Sequence, residues 1–205
     1  MPRQARAISP TGLYHVTSRA IEPLRLFADA RDCELFRHGL ARTRIEGGWR
    51  ILAYCLMGTH FHVIAGAEPE QLARAMRRLK GWYAHEVNDT RGRTGAVFDA
   101  RYAARPLASE AHAGAAVVYV AVNPVRAGLR RHPDEWPFGS HRAHAGLEAC
   151  PAWLEPIERL GVFSNRAGYR EAIDAAVARI HASRRAAAAE AGLAGGQTLG
   201  SDLLV

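Results

Sequence analysis

Only two residues, Gly58 and Thr59, separate the segment Arg50–Met57, apolar on both of its faces, from the run at 60–65. A connection that short joins neighbouring antiparallel strands and leaves no room for a helix, so it predicts a hairpin inside a sheet. The rest of the fold builds outward from it. Upstream, Leu13–Arg19 alternates, with Tyr14 and Val16 on one side and His15 and Thr17 on the other, the period of a half-buried strand. Residues 28–45 open on Asp29, Asp32 and Glu34, space Cys33, Phe36 and Leu40 at helical intervals, and close at Gly47 and Gly48. Downstream, Pro69 and Glu70 begin a helix whose stripe is Leu72, Ala75, Met76, Leu79 and Tyr83, with Arg74, Arg77, Arg78 and Lys80 on its other faces. The polar stretch 88–95 predicts a loop, and the alternation over 97–104 a fourth strand. The order strand, helix, strand, strand, helix, strand predicts an α+β, ferredoxin-like split βαβ fold, an antiparallel sheet with its two helices on one face.

Beyond the fourth strand, Ser109 and Glu110 suit the start of a third helix over 111–122, although the β-branched segment 117–122 also suits a strand, and the helix ends at about Asn123 because the residue before Pro124 is steered out of the α conformation. Residues 123–146 read as structured but irregular. Residues 153–180 read as one or two further helices carrying Leu160, Phe163, Tyr169, Ile173 and Val177, and the Ala/Gly-rich stretch 186–205 as a mobile or loosely helical tail. A chain of 205 residues that is 48% hydrophobic buries one ordinary core and a small appendage, which excludes disorder as its main state. It has no apolar run of about 18 residues and no secretory-type start, so neither a membrane span nor export is expected, and the expected location is cytoplasmic. Three widely spaced cysteines fit neither a disulfide framework nor a paired-cysteine zinc site. The net charge of +7 favours a polyanionic partner, and Lys80 is the sole lysine, so nearly all of the positive charge is guanidinium able to fork onto phosphate. Codon bias toward arginine is the bland alternative.

Two pairs of residues invite chemistry. His60 and His62, two apart on a strand, leave the same face with roots about 6.6–7 Å apart, within reach of one shared cation, while Phe61 faces the opposite layer. Histidines of this kind are also found as satisfied core residues, and both readings stay open. On the third helix, Tyr119 and Asn123 are one turn apart on one face, where a hydroxyl and an amide oxygen could approach one ion or phosphate. Tyr119 also continues the stripe Ala115, Val118, Val122, as a packing tyrosine would.

Residues 54–62, YCLMGTHFH, resemble the histidine-hydrophobe-histidine segment of the single-tyrosine HUH transposases, in particular the REP-associated tyrosine transposase branch. Residues 119–129, YVAVNPVRAGL, are similar to that family's catalytic-tyrosine helix and the block that follows it. Residues 14–19 (YHVTSR), 79–88, 95–102 (ending FDARY) and 136–146 (WPFGSHRAHAG) are similar in the same order, so the resemblance spans about 13–146. It departs at Gly58 and Thr59, where members commonly carry Pro-Asn, and at Ala121 and Val122, where they commonly carry His-Leu.

The resemblance implies an HUH domain over 10–146; the residues beyond it read as a helical extension at 147–185 and the tail at 186–205. It implies His60 and His62 as metal ligands, Asn123 at the place of a third ligand, and Tyr119 as the nucleophile of a DNA transposase. Mixed nitrogen and oxygen ligation suits Mn²⁺, with Mg²⁺ tolerated through phosphate and water oxygens. The implied partner is single-stranded DNA carrying palindromic repeat hairpins, with Arg74, Arg77, Arg78, Lys80, Arg101, Arg105, Arg126, Arg130 and Arg131 as candidate contacts, each also readable as a solvated surface charge. Monomer and homodimer both remain open. Two other functions compete: a hairpin-binding protein without strand transfer, and a metal-dependent hydrolase that uses the histidines to activate water.

Overall fold

A computed structural model describes residues 8–190. At its centre is the expected hairpin: β2 (Arg50–Met57) and β3 (His60–Gly66) pair antiparallel, with Met57 opposite His60 across the two-residue turn. β1 (Leu13–Arg19) pairs along the other side of β3, from Leu13 opposite Gly66 to Arg19 opposite His60. β4 (Ala103–Pro106) pairs with β1 and completes the antiparallel order β2-β3-β1-β4. With α1 (Ala30–Gly47) and α2 (Pro69–Thr90) as the two crossovers, this is the ferredoxin-like arrangement.

The helices begin and end where local chemistry directs them. The Asp29 carboxylate accepts from the Asp32 amide (3.0 Å) at the start of α1, and Gly48 closes it at a φ of 67°, which glycine adopts without the steric cost of a Cβ. The Gln71 amide then donates to the Gly47 carbonyl (2.8 Å), tying the first turn of α2 to the last of α1. Both helices cover one face of the sheet, where Val16, Tyr54, Leu56, Phe61 and Val63 pack with Phe36, Leu40, Met76, Leu79 and Tyr83. The other face has its own core: Ala53, Cys55, Met57 and Ile64 lie under Val117 and Val120 of α3 (Glu110–Ala121) and Ile173 and Val177 of α6 (Arg166–Glu190). The pleat of β3 therefore sends Phe61, Val63 and Ala65 to the first core and leaves His60, His62 and Ile64 on the second face. Ser109 caps α3 by accepting from the His112 amide (3.1 Å), and Pro124 falls in the first turn of the short helix α4 (Asn123–Arg126), which tolerates its missing N–H.

Three expectations change. The fourth strand is not continuous over 97–104: Phe98 bridges to Ala20 and Ala103 pairs with Thr17, so this side of the ladder holds two more residues than β1 does between those pairs. Residues 99–101 loop out, held by Lys80, whose ammonium donates to the Ala100 carbonyl (2.7 Å) and stands 4.5 Å from the Phe98 ring centroid. Second, α2 runs through Asn88 to Thr90; the Asn88 side chain donates to the Gly95 carbonyl (2.9 Å) and accepts from Arg93 (2.9 Å), folding the loop back on the helix end. Third, residues 153–165 form only a 3₁₀ turn at Ile157–Arg159, interrupted by Pro156 and by Gly161 at a φ of 69°. Helix α6 starts where Asn165 accepts from the Gly168 amide (2.9 Å), and it continues through 186–190 of the expected tail. The remainder of that tail, 191–205, lies outside the described residues. Among the described residues, no helix is long and apolar enough to cross a membrane.

Candidate active site

Three imidazoles meet on the second face. His15 on β1 and His62 on β3 are diagonal neighbours across the ladder, and His15 Nε2 lies 2.9 Å from His62 Nδ1, with the rings stacked at 5.2 Å. The His60 ring is 5.0 Å from that of His62, and its Nδ1 meets the Thr59 hydroxyl at 3.1 Å. In both His60 and His62 the δ nitrogen is engaged, while Nε2 has no partner among the described residues.

Helix α3 brings Tyr119 over this group. Its ring stands edge-on, 5.9 Å from His15 and 6.0 Å from His62. At 39% exposure it is not a packing residue; Ala113, Val117 and Val120 form the buried side of the helix. One turn on, buried Asn123 donates from its side-chain nitrogen to the Tyr119 carbonyl (3.3 Å), which leaves the amide oxygen for a ligand. A cavity of about 510 Å³ is lined by His15, His60, His62, Tyr119 and Asn123, with Arg19, Asp99, Arg101 and Arg105 around them.

Burial keeps the imidazoles neutral. It pushes His62 down to about 3, reinforced by His15, His60 and Arg19, and His15 down to about 4, reinforced by Arg105 and His112. His60 is lowered by burial and then by Arg19. A neutral imidazole retains the lone pair that a cation requires. His60, His62 and Asn123 line one cavity, and two imidazole nitrogens with an amide oxygen are a donor set that suits Mn²⁺, with Mg²⁺ admitted only through added phosphate and water oxygens; the surrounding guanidiniums suit a cation that shares the cavity with phosphate.

The candidate DNA contacts divide by layer. Arg101 and Arg105 line the cavity, and the Arg126 guanidinium stands 5.2 Å from the Tyr119 ring centroid. Arg130 stacks over Trp136 at 5.6 Å, and Arg131 is exposed, with its carbonyl accepting from His181 (2.9 Å). Arg74, Arg77 and Arg78 are exposed on α2, which packs on the first core, so they stand across the sheet from Tyr119; Arg78 pairs with Glu46 at 3.5 Å. Lys80 is committed to the loop at 99–101. The structure adds His15, Arg19 and Asp99. The first two lie in the alternating segment at 14–19, whose pattern shows which face they share but not which strand lies beside them, and Asp99 arrives on the looped-out residues.

A second cluster lies apart from the cavity. His132, Asp134 and His141 offer ligand atoms within 4.8 Å of one another. Their ring nitrogens are already partnered: His141 Nδ1 meets the Tyr169 hydroxyl (2.9 Å), His141 Nε2 meets Asp134 (2.7 Å), His132 Nε2 meets Asp174 (3.1 Å), and His132 Nδ1 accepts from the Asp134 amide (3.2 Å).

No protein-family model matches the chain, and no curated protein matches it either. A solved structure from Deinococcus radiodurans, a candidate transposase, is similar at a TM-score of 0.40 and 16% identity over 55% of this chain and 89% of that one. The structure of the REP-associated tyrosine transposase bound to a REP hairpin is similar at a TM-score of 0.61 and 17% identity, covering 76% of this chain and 92% of that one. The chain therefore has the fold of a REP-associated tyrosine transposase.

Proposed function

We propose that the chain is a single-tyrosine HUH transposase, a cytoplasmic metal-dependent enzyme that cuts and rejoins single-stranded DNA at repeat hairpins through a 5′-phosphotyrosine. The observation that carries the reading is the meeting of an exposed phenol, Tyr119, with the pair His60 and His62 in one cavity, from elements far apart in the sequence. The fold shared with a transposase bound to a REP hairpin supports the choice of substrate.

In this reading the Tyr119 oxygen attacks the scissile phosphorus and releases its proton to solvent. The new bond to phosphorus forms as the bond to the 3′ oxygen breaks, and that oxygen takes up a proton to become a free 3′-hydroxyl. One ester replaces another, so the 3′-hydroxyl of a second strand can reverse the step and join the DNA. His60 and His62, with Asn123 beside them, would hold Mn²⁺ or Mg²⁺, which would supply positive charge to polarise the phosphodiester. Arg19, Arg101 and Arg105 hold the neighbouring phosphates, Arg126 steadies the phenol ring, and Arg130 and Arg131 extend the basic surface along the strand.

The test uses hairpin oligonucleotides taken from inverted repeats beside the coding region, incubated with Mn²⁺. A covalent protein–DNA adduct that survives denaturation is expected, and none with Tyr119→Phe. A full-strength adduct in that variant contradicts the proposal. Tight, salt-sensitive binding with no adduct under any divalent ion would make the chain a hairpin-binding protein, and a free 5′-phosphate product from active Tyr119→Phe would make it a hydrolase.

A further inference from the structure

We infer that His15 is a positioning residue: its Nε2 accepts the Nδ1 proton of His62 and so fixes His62 in the tautomer whose Nε2 lone pair is open to the cavity. The relevance of that lone pair rests on the function proposed above, whereas the tautomer itself can be observed without it.

The facing nitrogens, 2.9 Å apart, are at hydrogen-bond distance, and between two neutral imidazoles one must donate and the other accept. If His15 donates, the proton of His62 moves to Nε2 and an N–H occupies the position a cation would need. If His62 donates, its Nε2 carries the lone pair. His15 is the one partner of His62 Nδ1 among the described residues, and His62 is only 7% exposed, so water is poorly placed to substitute. His15 itself is held firmly, because β1 lies between β3 and β4, with His15 opposite Ile64 on one side and Arg105 on the other. Histidine ligands are commonly oriented by a carboxylate or a carbonyl on the ring nitrogen that does not bind the metal. Here a second imidazole stands in that place. The arrangement joins a residue of the first strand to the histidine pair of the third, a link that no local motif reveals.

The test follows the imidazole nitrogens by long-range ¹H–¹⁵N correlation in the metal-free protein and, separately, Mn²⁺ affinity by paramagnetic resonance titration. His62 is expected as the Nδ1–H tautomer in the wild type. His15→Ala should shift it toward Nε2–H and weaken Mn²⁺ binding about 10- to 100-fold. His15→Gln, whose side-chain oxygen can accept at the place of the imidazole Nε2, should retain the tautomer and most of the affinity, an outcome that loss of packing alone would not produce. An unchanged His62 tautomer in a folded His15→Ala protein overturns the inference, as does His62 found as Nε2–H in the wild type. A His15-dependent Nδ1–H tautomer in a protein that binds no Mn²⁺ upholds the role of His15 and removes the metal reading instead.

Discussion

Two histidine clusters in this chain are built to opposite ends. The group His132, Asp134 and His141 has the composition usually associated with a metal, two imidazoles and a carboxylate within 4.8 Å. Yet all four of its ring nitrogens are partnered, within the group and with Tyr169 and Asp174, so it clasps the 3₁₀ turn Pro133–Glu135 and the short helix α5 (His141–His144) to α6. The group His15, His60 and His62 contains no carboxylate; all three line a cavity shared with a half-exposed phenol, and Nε2 of His60 and of His62 has no partner among the described residues. Residue type does not tell which of the two clusters is open to a ligand. Unspent hydrogen-bonding and ligating capacity does: a closed network holds elements together, whereas an open one is available to a substrate.

Disabling each cluster in turn is the most forceful way to break this comparison. Replacing His60 and His62 together by alanine is expected to reduce adduct formation by about 10³-fold or more while leaving the unfolding curve close to the wild type. His141→Ala should do the reverse. It strips the buried Tyr169 hydroxyl and the Asp134 carboxylate of a common partner, costing about 2–3 kcal/mol in urea unfolding, while adduct yield per folded molecule is unchanged. A folded His141→Ala protein that makes no adduct would erase the distinction between the clusters.

Smaller effects sharpen it. His144, 1% exposed, packs on Tyr169 beside the clasp and donates from Nε2 to the Glu155 carbonyl (3.1 Å), with Nδ1 left unpartnered. Burial pushes its pKa from 6.5 down to about 4. The unfolded chain therefore binds more protons than the folded one between those values, and stability falls as the pH drops through that window. Melting temperature measured from pH 7 to pH 4.5 should decline, and less steeply in His144→Gln, whose amide nitrogen can keep the bond to Glu155. The smallest expected effect concerns the arginines. Arg105→Ala should reduce the slope of log affinity for single-stranded DNA against log salt by about 1, whereas Arg78→Ala, across the sheet and paired with Glu46, should leave it unchanged. Equal changes in both variants would place DNA on both layers.

The parts of the fold legible in the sequence are those written locally. A two-residue turn specifies the hairpin, and the stripe from Leu72 to Tyr83 specifies α2, without reference to anything distant. The fourth strand misleads for a definite reason: its insertion is two residues long, so the alternation stays in phase and a period-2 pattern cannot reveal it. The partnership of His15 and His62 depends on β1 lying beside β3, and the clasp joins residues 132–141 to residues 169–174, so neither leaves a local trace. The placement of Arg74, Arg77 and Arg78 away from the cavity, by contrast, was latent in the pattern. With Phe61 facing the two crossover helices, His60 and His62 must face away from them, and so from any arginine on α2.

The most direct test of the central claim is peptide-resolved mass measurement of the protein after reaction with hairpin DNA and Mn²⁺, followed by nuclease trimming. A nucleotide esterified through its 5′-phosphate to Tyr119, and a free 3′-hydroxyl on the released strand, is the predicted result. Cleaved DNA with Tyr119 unmodified, or the nucleotide mapped to another residue, would contradict it.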